Sequence, residues 1–225
     1  MQLVSVVIPT RGRPERVASV VERFNQVTDW TPLEIIVVCD GDREAFWALS
    51  EMQAEGWIVT PLLQRHRGST EAWNLGLYAS QGVYVVMLAD DVWPEMGWLT
   101  EAMQVMRDEL GGDGLVGLNG LNWPDFRLVN HYLLSRTFIK EHMGGVLAFP
   151  CYKHYFQDVE ANERARRADK FAIAKAAIVR HDHPSVGLRE ADATDSLNAE
   201  RGKRDHETFK HREQAGFPDD FEAVL

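Results

Sequence analysis

The sequence predicts an α/β fold: a mostly parallel sheet flanked by helices. Three observations carry that expectation. Short, largely β-branched apolar runs recur through the first half, namely "LVSVVIP", "LEIIVVC", "WIVTPLL" and "VYVVML". Stretches with helical spacing of apolar residues separate them, and each run gives way to polar residues. Strands buried on both faces, as in parallel sheets, read as continuous apolar runs, and a helix between two such strands is the ordinary crossover.

Each element follows from local chemistry. The first strand spans about residues 3–9. Pro14 then sits where helices begin, ahead of Val17, Val20, Val21 and Phe24 on one helical face. The second strand, "LEIIVVCDGD", leads to a helix over about 44–55 with Ala45, Leu49 and Met52 inward. A third, weaker strand is expected over 57–63. After "RHRGS" a helix begins, with Ser69 or Thr70 as its cap, Trp73, Leu77 and Tyr78 inward and Gly82 as its closing glycine. The fourth strand, "VYVVMLADD", ends abruptly on Asp90 and Asp91.

In open sheets of this kind the ligand lies beyond the carboxyl ends of the strands. Those ends carry Thr10, Arg11 and Arg13, then Asp40 and Asp42, then Arg65, His66, Arg67 and Gly68, then Asp90 and Asp91. Arginine forks suit phosphate, and aspartate oxygens suit hard cations such as Mg²⁺ or Mn²⁺. The convergence therefore points to a phosphate-bearing ligand held with a divalent cation.

Composition bounds the rest. A chain of 225 residues has length for one sizeable core. The formal charge of −10 argues against non-specific grip on nucleic acid or an anionic membrane. Cys39 and Cys151 lie far apart, and the first ends an apolar run, which favours free thiols and a cytoplasmic setting. The N-terminus lacks the pattern of a signal peptide, and no apolar run approaches the roughly 20 residues of a membrane helix.

Five stretches together, "VSVVIPTRGRPERV", "EIIVVCDGD", "RGSTEAWNLGLYASQGVYVVMLADDVWPEMGWL", "YFQDVEANERARRADK" and "IVRHDHP", resemble the family 2 glycosyltransferases of GT-A (Rossmann-like) fold. The likeness is to the short, stand-alone kind also found in bacteriophage genomes, and it covers about residues 3–184. It implies a glycosyltransferase domain over 1–184, with a nucleotide-sugar half to about 95 and an acceptor half from about 96, followed by a polar C-terminal extension over 185–225. It also implies that Pro9, Thr10, Arg11, Arg13 and Asp40 frame the nucleotide, UDP by preference, with Arg67, Gly68 and Asn74 continuing the pocket. The family's metal-binding "DXD" element reads "ADD" here: Ala89 replaces its first acid, leaving Asp90 for the ribose and Asp91 for an Mn²⁺ or Mg²⁺ ion. Cys39 and Trp73 also depart from the family pattern, at its "DDGS" and "ARN" elements.

The second half supplies the remaining roles. Asp158 in "YFQDVE" matches the family's catalytic base, with Glu160 beside it on the acceptor side; the same segment also reads as a charged helix with acids at its start and bases at its end. His181 matches a late histidine ligand to the cation, and a structural histidine is the other reading. Trp93, Pro94, Trp98 and Trp123 fit either a sugar subsite or the core. "MGGVLAFP" reads as an acceptor-side loop or a plain turn, and the basic stretches in 160–170 and "RGKRDHETFKHRE" as polyanion contacts or solvated faces. Beyond Pro184 the chain shows little apolar periodicity and reads as an arm or partner contact.

The function expected is inverting transfer of a sugar from a nucleotide-diphosphate sugar to an acceptor hydroxyl, on a glycan or on a hydroxymethylated pyrimidine of phage DNA. Two alternatives accompany it: a non-catalytic sugar-nucleotide or carbohydrate binding protein, and a nucleotidyltransferase, against which "PTRGRPER" offers only Gly12 in place of a glycine-rich phosphate loop.

Overall fold

The computed structural model describes residues 2–30, 32–122, 125–184, 190–191 and 193–221. Its first half is β1 (Val4–Thr10), α1 (Pro14–Val27), β2 (Leu33–Asp40), α2 (Arg43–Ala54), β3 (Thr60–Gln64), α3 (Ser69–Ala79) and β4 (Tyr84–Met87). These strands pair in parallel in the spatial order β3-β2-β1-β4, as the alternation of strand and helix requires. The α/β class and the mostly parallel sheet expected from sequence are found.

Alternation along each strand divides the core. Val4, Val6 and Ile8 of β1 face one layer, with α1, α2 and α4 (Trp98–Asp108) packed over them. Val7 faces the other, under α3 with Trp73 and Leu77. A parallel strand with both faces covered cannot be amphipathic, which explains the unbroken apolar runs.

The second half extends the sheet with β5 (Val92–Pro94), β6 (Leu115–Asn119), β7 (Tyr132–Ser135) and β8 (Phe171–His181), giving the full order β3-β2-β1-β4-β7-β6-β8-β5. β7 runs antiparallel to both β4 and β6, and β5 antiparallel to β8. Helices α5 (Arg136–His142), α6 (Gln157–Arg167) and α7 (Ala193–Gln214) complete the molecule. Among the described residues no helix is long and apolar enough to cross a membrane.

Several local expectations are corrected. The third strand begins at Thr60 rather than 57, because Trp57 packs against the α1/α2 layer before the chain reaches the sheet edge. Tyr78 is 90% exposed: it lies one residue beyond Leu77 and so about 100° around the helix from the buried stripe of Thr70, Trp73 and Leu77. Gly82 does not close α3, which ends at Ala79. It sits where the chain enters β4, its amide donating to Ser5 Oγ at 2.8 Å. A Cβ there would lie 2.4 Å from that Oγ and 2.7 Å from both Ser5 N and Tyr84 O. Two of these three are backbone atoms of paired strands and cannot step aside, so Gly82→Ala is expected to destabilise the fold by about 1–3 kcal/mol. Urea denaturation measures it, and an unchanged midpoint overturns it.

The C-terminal segment, read from sequence as an arm, folds back as α7, where Asp205, Thr208, Phe209 and Arg212 are buried. Their spacing is that of one helical stripe. Two of the four are charged, so the stripe has no apolar signature in the sequence.

Candidate active site

A cavity of about 610 Å³ opens at the carboxyl end of the parallel strands, within the size range of small-molecule sites. Pro9, Thr10, Arg11, Arg13, Asp40, Gly68, Asp90, Asp91, Asp158 and His181 all line it. The sheet therefore brings together residues spread over most of the chain.

The cavity wall at the ends of β1 to β3 is braced by two carboxylates. Asp40, at the end of β2, accepts from Gln64 Nε2 at 2.7 Å, His66 Nδ1 at 2.6 Å, the Arg67 amide at 2.7 Å and the Gly68 amide at 2.9 Å. Burial pushes its pKa up, but these donors, the Arg67 amide foremost, outweigh burial and hold Asp40 below the usual carboxylate range. Four donors fill the acceptor capacity of a carboxylate. Asp40 thus shapes the wall by fixing the 64–68 loop, and its oxygens are committed to the chain's own groups. Asp42 caps α2 by accepting from the Ala45 amide at 3.0 Å and ties the first loop by accepting from the Gly12 amide at 2.6 Å.

Asp90 and Asp91 do different things. Asp90 accepts from Thr10 Oγ1 at 2.8 Å and from Arg13 Nη1 at 2.7 Å. Burial raises its pKa, Arg13 opposes that, and the neighbouring Asp91 adds to it. Asp91 precedes β5, whose antiparallel register places Val92 opposite His181. That register brings His181 Nε2 to 3.2 Å from Asp91 Oδ1, and Asn122 Nδ2 meets the other ring nitrogen, Nδ1, at 2.9 Å. A carboxylate and an imidazole on one cavity wall form a mixed O/N donor pair, of which the Asp91 oxygens are the donors that suit Mn²⁺ or Mg²⁺ if ligand oxygens complete the shell. Among the described residues no group of three or more His, Cys, Asp or Glu is arranged to hold a metal ion by itself.

Asp158 lies in the first turn of α6, two residues after Phe156, which holds a left-handed conformation at φ 68°. Its Oδ1 accepts from the Val159 amide at 2.9 Å, and its Oδ2 accepts from Asn130 Nδ2. Burial raises its pKa above the usual carboxylate range, with the Asn130 and backbone bonds working against that rise. Gln157 is structural: it bonds Phe149 and Thr70 and pins the start of α6 to the start of α3.

Four site residues expected from sequence lie elsewhere. Glu160 is fully buried away from the cavity, bonded by Tyr152, Arg164 and Arg212. Asn74 turns from the cavity to hold the backbone of Leu147 and Ala148. Arg67 contributes its amide to Asp40, while its side chain reaches outward toward Glu71. Trp93 packs on the core beside β8, and Trp98 is fully buried with Nε1 donating to Thr28 Oγ1 at 3.0 Å. Pro94 is also buried; Trp123 lies outside the described residues. Residues 147–149 of "MGGVLAFP" are core, so that stretch is a turn into packed chain rather than a cavity loop.

Other lining residues escaped the sequence reading. Asn130 and His131 reach the cavity because β7 is antiparallel: its start, opposite Met87, lies at the site edge, whereas a search of strand ends looks only at parallel strands. His131 is 5% exposed, its ring 4.6 Å from that of His181, and its Nε2 has no hydrogen-bond partner among the described residues. Burial, aided by His181, holds it neutral by lowering its pKa well below the usual histidine value. Trp73, which donates from Nε1 to Leu88 O at 3.0 Å, and Phe156 give the cavity apolar walls.

Residues 5–112, just under half of the chain, match the family model described as Glycosyl transferase family 2. No curated protein sequence matches the chain. Among solved structures, the mannosyltransferase PcManGT from Pyrobaculum calidifontis, in complex with GDP-Man and Mn²⁺, superposes with TM-score 0.65 at 17% identity over 82% of this chain and 58% of its own. TarS 1-349 of S. aureus in complex with UDP gives TM-score 0.64 at 15% identity over 80% of this chain and 59% of its own. The corresponding UDP-GlcNAc complex gives 0.63 at 15% identity over 80% and 57%. At such identities the likeness establishes the fold, which is that of the GT-A glycosyltransferases, and the chain spans under three fifths of each of these structures.

Proposed function

We propose, from the family 2 glycosyl transferase pattern of residues 5–112 and the GT-A fold that carries it, that the chain transfers a sugar from a nucleotide-diphosphate sugar to an acceptor hydroxyl with inversion. One observation supports this above the others. The Asp90–Asp91 pair and the Asp158 carboxylate line a single cavity large enough for a nucleotide sugar and part of an acceptor.

In this reading the loops around Thr10–Arg13 and 66–69 receive the nucleotide, UDP by preference, and Asp90 is the hydrogen-bonding group for the ribose. Asp91 and His181 are the residues that would hold Mn²⁺ or Mg²⁺, which when bound supplies positive charge against a diphosphate. Asp158 accepts the proton of the acceptor hydroxyl as its oxygen attacks the anomeric carbon and the bond to the diphosphate breaks on the opposite side. Arg11 lines the cavity where the departing charge grows. The acceptor is a glycan or a hydroxymethylated pyrimidine in DNA, the latter in keeping with the resemblance of the sequence motifs to bacteriophage enzymes. The cytoplasm is the compartment proposed: Cys39 and Cys151 are buried free thiols, each pushed up to about 12 by burial first of all.

The test is thermal stability across UDP- and GDP-sugars with Mn²⁺, Mg²⁺ or chelator. Ligand at a hundredfold its Kd stabilises by about 2.7 kcal/mol. The expected result is a rise in Tm with one nucleotide sugar that is larger with metal, and whose metal-dependent part is lost in Asp91→Ala. No shift with any nucleotide at millimolar concentration overturns the donor site. Binding without turnover, unchanged by Asp158→Asn, would favour a non-catalytic sugar-nucleotide binding protein.

A further inference from the structure

Helix α7 grips the chain on both sides of Asp158. Ahead of it, the fully buried Asp205 accepts three consecutive amides, from Lys153 to Oδ1 and from His154 and Tyr155 to Oδ2, each at 2.9 Å. The ring of the next residue, Phe156, stacks on His206 at 5.4 Å and on Phe209 at 5.1 Å. Beyond Asp158, Arg212 donates from Nε and Nη2 to the two carboxylate oxygens of Glu160, both at 2.8 Å. Asp205 and Arg212 lie two helical turns apart on one stripe. Three amides on one carboxylate, next to a residue in the left-handed region, tie the 153–156 turn to α7.

We propose that α7 is the positioning element for Asp158, with Asp205 and Arg212 as its positioning residues. Together they set the 153–156 turn and the first turn of α6, and so the place of the carboxylate at the cavity wall. The inference rests on the reading of Asp158 as the proton acceptor. A misplacement of about 1 Å in a reacting group is worth roughly a hundredfold in rate, so loosening this grip should act on turnover rather than on donor binding. His154, Tyr155 and Phe156 also line the cavity, so the same grip shapes the wall they form.

The experiment compares the full chain with Asp205→Asn and with His206→Ala, the latter exposed and able to fold if the former does not. Two quantities are read: release of UDP or GDP from a nucleotide sugar with water as acceptor, and backbone amide hydrogen exchange. Asp205→Asn is expected to lower kcat about 10- to 100-fold with donor KM within twofold, and to speed exchange at 158–160 as well as at 153–155 while leaving 64–68 unchanged. His206→Ala should move the same amides by less. Wild-type kcat in Asp205→Asn, or faster exchange confined to 153–155, overturns the positioning role. If the wild type itself turns over no nucleotide sugar, the glycosyltransferase reading fails, and exchange at 158–160 still decides whether α7 holds Asp158 in place.

Discussion

Asp158→Asn should lower kcat by about 10²- to 10⁴-fold, the usual share of a general base, and at the same time raise Tm. Both effects come from burial. The wild-type carboxylate is held above its usual pKa because the cavity wall desolvates it, with Asn130 and the α6 amides compensating only in part. A carboxyl whose folded pKa is raised contributes stability below its unfolded pKa and loses it as pH rises through the folded value. Above its unfolded pKa the wild type therefore folds at a cost, whether it keeps a desolvated charge or takes up a proton, that the neutral amide removes. Asn keeps an acceptor for the Val159 amide, and the Asn130 amide can flip to serve it. Turnover runs the other way with pH: the ionised form accepts the proton, so kcat falls as pH drops through the raised pKa. Activity and melting curves of the two proteins across pH check this. A variant with wild-type turnover, or one that melts lower at neutral pH, contradicts it.

Arg212→Met is expected to destabilise the fold by about 3–5 kcal/mol, the range for breaking a buried ion pair by removing one partner. Arg212 and Glu160 are both fully buried, and Arg212 also donates to Pro218 O at 2.8 Å. Arg164 Nε remains on Glu160 at 2.9 Å, which places the effect toward the lower end. For a chain of this size that is a fall in Tm of roughly 10 °C. The double variant Glu160→Met with Arg212→Met should recover part of the loss, because no under-paired carboxylate is then left inside; Arg164 keeps Asp219 at 2.8 Å, while its Nε and the Tyr152 hydroxyl lose their acceptor. Urea denaturation of both reads it, and a single-variant loss under about 1 kcal/mol would show that Arg164 and Tyr152 satisfy Glu160 without Arg212.

The antiparallel strands explain which site residues the sequence hid. Thr10, Asp40 and Asp90 were legible because each ends or follows a parallel strand whose carboxyl end is the ligand edge by rule. Asn130 and His131 reach the same edge from the opposite direction along the chain, since β7 starts where β4 stops. Asp158 and His181 were found through motif likeness, and the register of β5 on β8 is what sets His181 beside Asp91. Glu160 was misplaced for a helical reason: two residues beyond Asp158 is about 200° around α6, so it points away from the cavity and into the protein.

By itself the sequence determined the α/β architecture, the succession of its first four strands along the chain and the sheet edge at which the cavity opens. Those follow from local signals: apolar runs of strand length, helical spacing between them, and polar residues where strands end. Only the tertiary structure decided which polar residues face the cavity and which hold the frame. Asp40, Asn74, Glu160, Asp205 and Arg212 are all charged or polar and read alike along the chain. They became braces because partners far away in sequence, from loops, α6 and α7, fill their hydrogen-bonding capacity. A buried polar group is defined by the partner that satisfies it, and long-range pairing of that kind leaves no periodicity to read.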